Sequence, residues 1–327
     1  MILITGGAGY IGSHINKTMN KAGYETIILD NLINGYEDAI QWGFFEEADL
    51  KDYKTLTKIF QQNDIEGVIH CAAFISVAES VKNPVMYLKN NYQNTLNLIR
   101  VMKENKVDKF IFSSTAALYG IPETIPIKEN TPLKPINPYG QSKLLVEKML
   151  KREADEANIK YTSLRYFNAA GADPVTQIGE NHQPETHLIP LVLDTAIGKR
   201  TTISIFGDDY DTPDGTCIRD YIHVCDLAQA HLLAYKYLEE NNESKIYNLG
   251  NGEGFSVKEV IETCKKVTKA PIPTLIESRR EGDPARLVAD STKIKEELKW
   301  KPKYPKLEQI VETAWKWHQK LNKTELQ

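Results

Sequence analysis

Ile2-Leu3-Ile4-Thr5-Gly6-Gly7-Ala8-Gly9-Tyr10-Ile11-Gly12 sets a short apolar run directly before a glycine turn. The run reads as a buried strand, and the pattern over residues 11–22 reads as a helix. Gly6, Gly9 and Gly12 permit a tight turn and let the backbone close on a pyrophosphate. The helix that follows offers free N–H groups and a partial positive charge to that anion. The spacing is Gly-x-x-Gly-x-x-Gly rather than the Gly-x-Gly-x-x-Gly common in dehydrogenases. Asp30 closes the next apolar run, eighteen residues beyond Gly12. A carboxylate there accepts hydrogen bonds from ribose hydroxyls and repels a 2′-phosphate, which favours NAD over NADP.

Outward from this turn, apolar runs at residues 2–5, 26–30, 44–48, 68–72, 110–113 and 161–166 read as buried strands. Helical patterns fall near 11–22, 52–62, 85–105 and 139–157. The alternation predicts an α/β fold built on a Rossmann-type doubly wound parallel sheet. Residues 1–167 form the expected NAD-binding domain. Beyond residue 168, glycine, proline and acidic clusters become frequent. A smaller mixed α/β substrate-binding lobe is expected over 168–327, with some segments near 221–237 returning to the first domain. The stretch 121–138 contains five prolines and cannot be one continuous helix.

A chain of 327 residues has room for two domains, and 41% hydrophobic with 26% charged residues suits a globular protein. The net charge of −4 is spread along the chain, which argues against nucleic-acid or membrane-surface binding. No apolar run approaches the roughly 20 residues that span a bilayer. Met1–Thr5 has no basic or cleavable leader character, so a cytoplasmic location is expected. Cys71, Cys217, Cys225 and Cys264 make no Cys-x-x-Cys pair, and the histidines show no spaced ligand cluster. Reduced thiols and no metal are therefore expected.

Tyr139-Gly140-Gln141-Ser142-Lys143 opens a helix directly after Pro138, a residue suited to the first turn. Positions i and i+4 share one helical face, so phenol and ammonium can address one site. Of sixteen tyrosines, Tyr139 alone has lysine four residues later, which sets it apart. A nearby ammonium lowers a phenol's pKa, and such a phenol can take an alcohol proton as hydride leaves the same carbon. Ahead of the pair, Phe112-Ser113-Ser114-Thr115 ends a predicted strand, where an α/β sheet presents ligand contacts. Thr115 can donate a hydrogen bond to the reacting oxygen; a plain capping role is the alternative.

These segments resemble the extended short-chain dehydrogenase/reductase superfamily and, within it, the UDP-glucose (UDP-galactose) 4-epimerase family. The likeness runs nearly end to end. It includes Arg165-Tyr166-Phe167-Asn168, Phe206-Gly207-Asp208-Asp209-Tyr210, Arg219-Asp220-Tyr221-Ile222-His223, Tyr247-Asn248-Leu249-Gly250 and Arg279-Arg280-Glu281-Gly282-Asp283. The resemblance implies Thr115, Tyr139 and Lys143 as the catalytic set. It implies Tyr10, Ile11, Asp30, Asn31, Asp49, Leu50, Ala72, Asn90 and Phe167 along NAD, joined by Tyr139 and Lys143. It implies Asn168, Leu188, Phe206, Arg219, Arg280 and Asp283, with Thr115, around a UDP-sugar. Arginine suits the diphosphate through paired charge-assisted hydrogen bonds. A homodimer joined through the helices near 85–105 and 139–157 is implied as well.

Two departures from the family pattern matter. Thr115 stands where many members carry serine. Leu287 occupies the position that gates the C2 substituent of the sugar, where an aromatic favours plain hexoses and a small residue admits N-acetyl groups. Leucine is intermediate, which leaves UDP-hexoses and UDP-N-acetylhexosamines both open. Ala116 and Ala117 follow Thr115, where related dehydratases carry acidic residues that transfer protons. Their absence favours C4 epimerisation through a transient 4-keto sugar. A net NAD-dependent oxidoreductase and a non-catalytic NAD-sensing scaffold are the alternatives.

Overall fold

The computed structural model describes residues 1–280 and 282–325. Six strands come first along the chain: β1 (Ile2–Thr5), β2 (Thr26–Asp30), β3 (Phe44–Glu47), β4 (Gly67–His70), β5 (Lys109–Thr115) and β6 (Lys160–Tyr166). Seven more follow: β7 (Asn168–Ala170), β8 (Ile203–Phe206), β9 (Ile218–His223), β10 (Lys245–Leu249), β11 (Gly254–Ser256), β12 (Thr274–Glu277) and β13 (Arg286–Leu287). The main sheet runs β10-β6-β5-β4-β1-β2-β3, and every pairing in it is parallel. The expected doubly wound α/β architecture is thus present.

Alternate residues of each central strand feed opposite layers. Leu3, Val68, Phe110 and Phe112 pack under the helices Tyr53–Gln62, Asn94–Glu104 and Pro138–Asp155. Ile2, Ile4, Ile69 and Ile111 pack under Tyr10–Lys21 and Val224–Asn241. A strand buried on both faces needs apolar residues at every position, which explains the continuous runs. The strand order reverses between β1 and β4, and ligands bind at such a switch point.

Three elements differ from the sequence expectation. β3 is not a buried strand: it lies at the sheet edge beside β2 alone, and Phe44 is 61% exposed. The run at 68–72 stops at His70, and Cys71 and Ala72 turn away across the end of β1. The helical pattern near 85–105 is interrupted by a π-helical turn, Leu88–Gln93, between Pro84–Tyr87 and Asn94–Glu104. Such turns often mark functional positions. Here the extra residue aims Asn91 at Phe74, accepting its N–H at 2.8 Å, and at Ser142, donating at 3.1 Å.

The seventh strand of the sheet, β10, lies far along the chain, after helix Val224–Asn241 has returned to cover the sheet. The rest of the second half builds a smaller lobe. β9 is its centre, paired parallel to β7 and β13 and antiparallel to β11. β8 and β12 form a separate parallel pair. Ile189, Val192, Ile205, Tyr221, Ile261 and Val311 fill its core.

Candidate active site

The glycine turn is shaped by close approach. Gly6 has φ +69°, and a Cβ there would stand 2.6 Å from the Ala72 nitrogen. A Cβ on Gly12 would stand 2.1 Å from the Gly6 carbonyl oxygen, so glycine alone lets the helix begin against the turn. Gly9 caps helix Tyr10–Lys21 without a side-chain hydrogen bond. The first N–H groups of that helix therefore face the turn with no side chain in the way. Asp30 closes β2 and accepts the N–H groups of Ala8 and Leu32, each at 3.0 Å. Burial raises its carboxyl pKa while those N–H groups pull it down. Each carboxylate oxygen keeps a further lone pair for a ribose hydroxyl. An uncapped helix start, a turn without room for Cβ and a buried carboxylate at the next strand end together fit a dinucleotide.

A cavity of about 740 Å³ opens over this turn. Gly6, Gly9, Tyr10, Ile11, Gly12, Asp30, Asn31, Asp49, Leu50, Ala72, Asn90 and Phe167 line it, as do Thr115, Tyr139 and Asn168. Asn31 donates to Asp49 at 3.1 Å, which ties two strand ends along the wall. Asn168 donates to the Asp220 carbonyl at 2.8 Å, so β7 and β9 fix its side chain. The residues expected along the cofactor thus meet Thr115 and Asn168 in one space, whereas Leu188, Phe206, Arg219, Arg280, Asp283 and Leu287 are not among the lining residues.

Tyr139 rests on helix Pro138–Asp155, whose N-cap Asn137 accepts the Gly140 N–H at 2.8 Å. Thr115 ends β5; its hydroxyl accepts the Ala117 N–H at 3.1 Å and, beside the Tyr139 phenol, acts to lower that phenol's pKa. The phenol pKa does not fall as the sequence suggests. Burial raises it, with Thr115 acting the other way. Lys143 is buried instead of lining the cavity, and its Nζ donates to the Ser113 carbonyl at 2.9 Å. Burial pulls its pKa down to about 8. The i, i+4 pair shares a helical face, yet the ammonium is directed at the strand.

The remaining residues expected at the nucleotide-sugar side form a second group in the smaller lobe. β13 sets Leu287 beside Arg219 on β9. Arg219 donates to the Pro284 carbonyl at 2.8 Å and pairs with Asp283 at 3.5 Å. The Arg280 guanidinium lies 3.8 Å from the centre of the Phe206 ring. Leu287 packs on the cluster of Ala116, Tyr119 and Phe167, which joins this group to the end of β5 that carries Thr115. Leu188 opens helix Leu188–Ala196 and packs on the lobe core. Glu281, within the same motif as Arg280, lies outside the described residues. Arg165, in the same stretch as Phe167 and Asn168, is buried in a pair with Glu147 (2.5 Å), donates to Tyr119 at 2.9 Å and is not among the residues lining the cavity.

Sequence reasoning missed one cluster altogether. Glu180, His182 and His187 line the cavity, and Glu185 joins them, although no histidine cluster was expected. The signal lay in the alternation Glu180-x-His182-x-x-Glu185-x-His187, a spacing that zinc-finger patterns do not cover. Burial alone would lower both imidazoles, but Glu180 and Glu185 outweigh it and raise His182 to about 9 and His187 to about 10.

Comparison with known proteins places this geometry. Residues 2–250 match the model of the NAD dependent epimerase/dehydratase family. The chain is 53% identical over 317 residues to a UDP-glucose 4-epimerase of Halalkalibacterium halodurans, covering 97% of this chain and 95% of that one. A crystal structure of a UDP-glucose 4-epimerase superposes with a TM-score of 0.96 at 53% identity, covering 98% of each chain. The UDP-glucose 4-epimerase of Brucella ovis in complex with NAD superposes with a TM-score of 0.94 at 42% identity, covering 96% of this chain and 97% of that one. The chain therefore belongs to the NAD-dependent epimerase/dehydratase family and, within it, to the group of the UDP-glucose 4-epimerases.

Proposed function

We propose that this protein interconverts UDP-glucose and UDP-galactose by inverting C4 through a transient 4-keto sugar, with no net redox change. One observation carries the reading: a single cavity joins the uncapped glycine turn and Asp30 to Thr115, Tyr139 and Asn168. Ala116 and Ala117, beside Thr115, offer no proton-transferring group for elimination of water. Bound NAD would supply the hydride acceptor and donor for inversion at C4. Gly6, Gly9 and Gly12 admit the pyrophosphate, and Asp30 takes the adenosine ribose. The Tyr139 phenol exchanges the proton of the C4 hydroxyl, and Thr115 positions that oxygen. Lys143 supplies a cation behind the phenol. Arg219, Arg280 and Asp283, with Phe206 against the base, hold the UDP portion while the hexose turns. That anchoring keeps the keto sugar from escaping between the two half-reactions.

The decisive experiment offers UDP-galactose and UDP-N-acetylgalactosamine separately and follows C4 inversion by NMR. Inversion of UDP-galactose without accumulation of reduced cofactor supports the reading. Steady release of reduced cofactor identifies a net oxidoreductase, and bound NAD with unchanged sugars identifies a scaffold. Equal rates on the two sugars make Leu287 permissive; a large gap makes it selective.

We further propose a homodimer in the cytoplasm. Val85 and Met86, exposed by 61% and 36% at the start of the 85–104 segment, support an apolar contact between copies. Four unpaired cysteines suit a reducing compartment. Among the described residues no helix is long and apolar enough to cross a membrane. Sedimentation of the purified protein at twice the chain mass of 37.1 kDa supports the dimer, and sedimentation as a monomer refutes it.

A further inference from the structure

The segment leading into helix Leu188–Ala196 gathers four ligand-type side chains that the epimerisation chemistry does not use. The donor atoms of Glu180, His182, Glu185 and His187 all lie within 4.8 Å of one another. His187 Nδ1 stands 2.9 Å from an oxygen of Glu180 and 2.9 Å from an oxygen of Glu185. His182 Nδ1 stands 3.1 Å from the same Glu180 oxygen and 3.8 Å from Glu185. Ligands about 2.0–2.1 Å from a tetrahedral zinc ion stand roughly 3.3–3.4 Å from each other. The four separations bracket that length, so shifts of a few tenths of an ångström make room for one ion.

The donor chemistry narrows the ion. Two imidazoles with two carboxylates suit Zn²⁺ and its neighbours, whereas Mg²⁺ and Ca²⁺ favour oxygen ligands throughout. Ion pairing alone needs no common focus. Here both imidazoles turn Nδ1 onto one oxygen of Glu180, a carboxylate with 7% side-chain exposure. Contacts from outside hold the ligands in place, as metal sites require. Trp317 donates to the Glu180 carbonyl at 2.8 Å, and a Cβ on Gly179 would strike the Trp317 ring at 2.4 Å. Glu185 accepts the N–H groups of Thr186 (2.6 Å) and His187 (2.7 Å). Tyr10 packs edge-on against His182 with ring centres 6.3 Å apart. Because three of the four ligands line the cavity, a hydrated ion has a path to them.

We propose that Glu180, His182, Glu185 and His187 bind one zinc-class divalent cation on the wall of the nucleotide cavity. The ion cross-links the 180–187 segment to the start of helix Leu188–Ala196 and braces it against Tyr10 on the cofactor side. This assignment stands apart from the epimerase reading, since it concerns binding rather than turnover.

The test uses the untagged full chain, stripped with a chelator and titrated with Zn²⁺ in a calorimeter. One ion per chain is expected, with affinity at least 100-fold weaker in the His182→Ala/His187→Ala double variant. Near-UV circular dichroism and NAD retention check that the variant folds. Should it fail to fold, Co²⁺ added to the wild-type chain decides instead: the intense visible bands of four-coordinate cobalt support the site, and a pale six-coordinate spectrum overturns it. Absence of saturable Zn²⁺ binding, or unchanged affinity in a folded double variant, reduces the cluster to ion pairs only. Neither result bears on C4 inversion, so failure here is distinguishable from failure of the proposed activity.

Discussion

Tyr139 is buried with its phenol raised in pKa, so the protein on its own holds it as a neutral donor. Thr115, which acts to lower that pKa, is the group placed to share the proton with it. Tyr139→Phe removes that proton while keeping the ring that fills the cavity wall. Turnover should fall by about 10²–10⁴ with NAD still bound, measured as C4 inversion beside cofactor content. Near wild-type turnover would remove Tyr139 from the acid–base role. Individual residues were legible where their chemistry is local: Gly6, Asp30, Thr115 and Tyr139 each follow from the strand end or helix start that carries them. Arg165 was not legible in this way. Its immediate neighbour Tyr166 reaches the cavity, but its own partner Glu147 lies eighteen residues earlier on another element. Alternation along a strand sends neighbours to opposite faces, and nothing local says which face holds a buried carboxylate.

Among the elements, the strand, glycine turn and first helix act as one piece. Gly12→Ala puts a Cβ 2.1 Å from the Gly6 carbonyl oxygen, which is backbone and cannot rotate aside. The helix must back away from the turn, opening the pyrophosphate cradle. NAD affinity should drop at least tenfold, with about 1–3 kcal/mol of lost stability from overpacking. Gly23→Ala is the companion: φ is +91° there, but a Cβ meets nothing within 4 Å. It should cost about 1–2 kcal/mol in unfolding experiments and leave NAD affinity unchanged. Equal NAD affinity in the two variants would show that the turn is not the cradle. The elements themselves were legible wherever periodicity and caps agreed, as at Asn137-Pro138 before the helix that carries Tyr139. β3 misled because its apolar Phe44-Phe45 pair resembles a core strand while the sheet ends there. β10 escaped notice because its five residues pair with β6, about eighty residues earlier in the chain, a contact no local pattern reveals.

The whole molecule carries four histidines folded in as neutral rings. His70 bridges Thr5 (2.6 Å) and Thr95 (2.8 Å), and His231 bridges the Leu227 carbonyl (2.9 Å) and Ser113 (3.0 Å). Burial lowers His70 and His223 to about 3, and His14 and His231 to about 4. In the unfolded chain these rings titrate near 6.5, so below that pH the unfolded state takes up protons that the folded state refuses. The stability that these four rings lend is therefore complete above about pH 6.5 and falls as the pH drops towards 4. Asp220 acts in the opposite sense, since burial raises it to about 6 and the folded state binds its proton first. His182 and His187, raised by their carboxylates, are protonated in both states across this window. Four histidines less Asp220 leave an uptake of at most about three protons on unfolding near pH 5, which the raised carboxyls of Asp30 and Asp226 reduce further. That ceiling corresponds to roughly 4 kcal/mol lost per pH unit, a steep slope against a typical total of about 5–15 kcal/mol. Urea unfolding at pH 7, 6 and 5 should show the midpoint collapsing between the last two. A midpoint unchanged at pH 5 would mean that these rings accept protons inside the folded sheet, and that their hydrogen bonds to Thr5, Thr95, Ser113 and Thr313 rearrange without unfolding it.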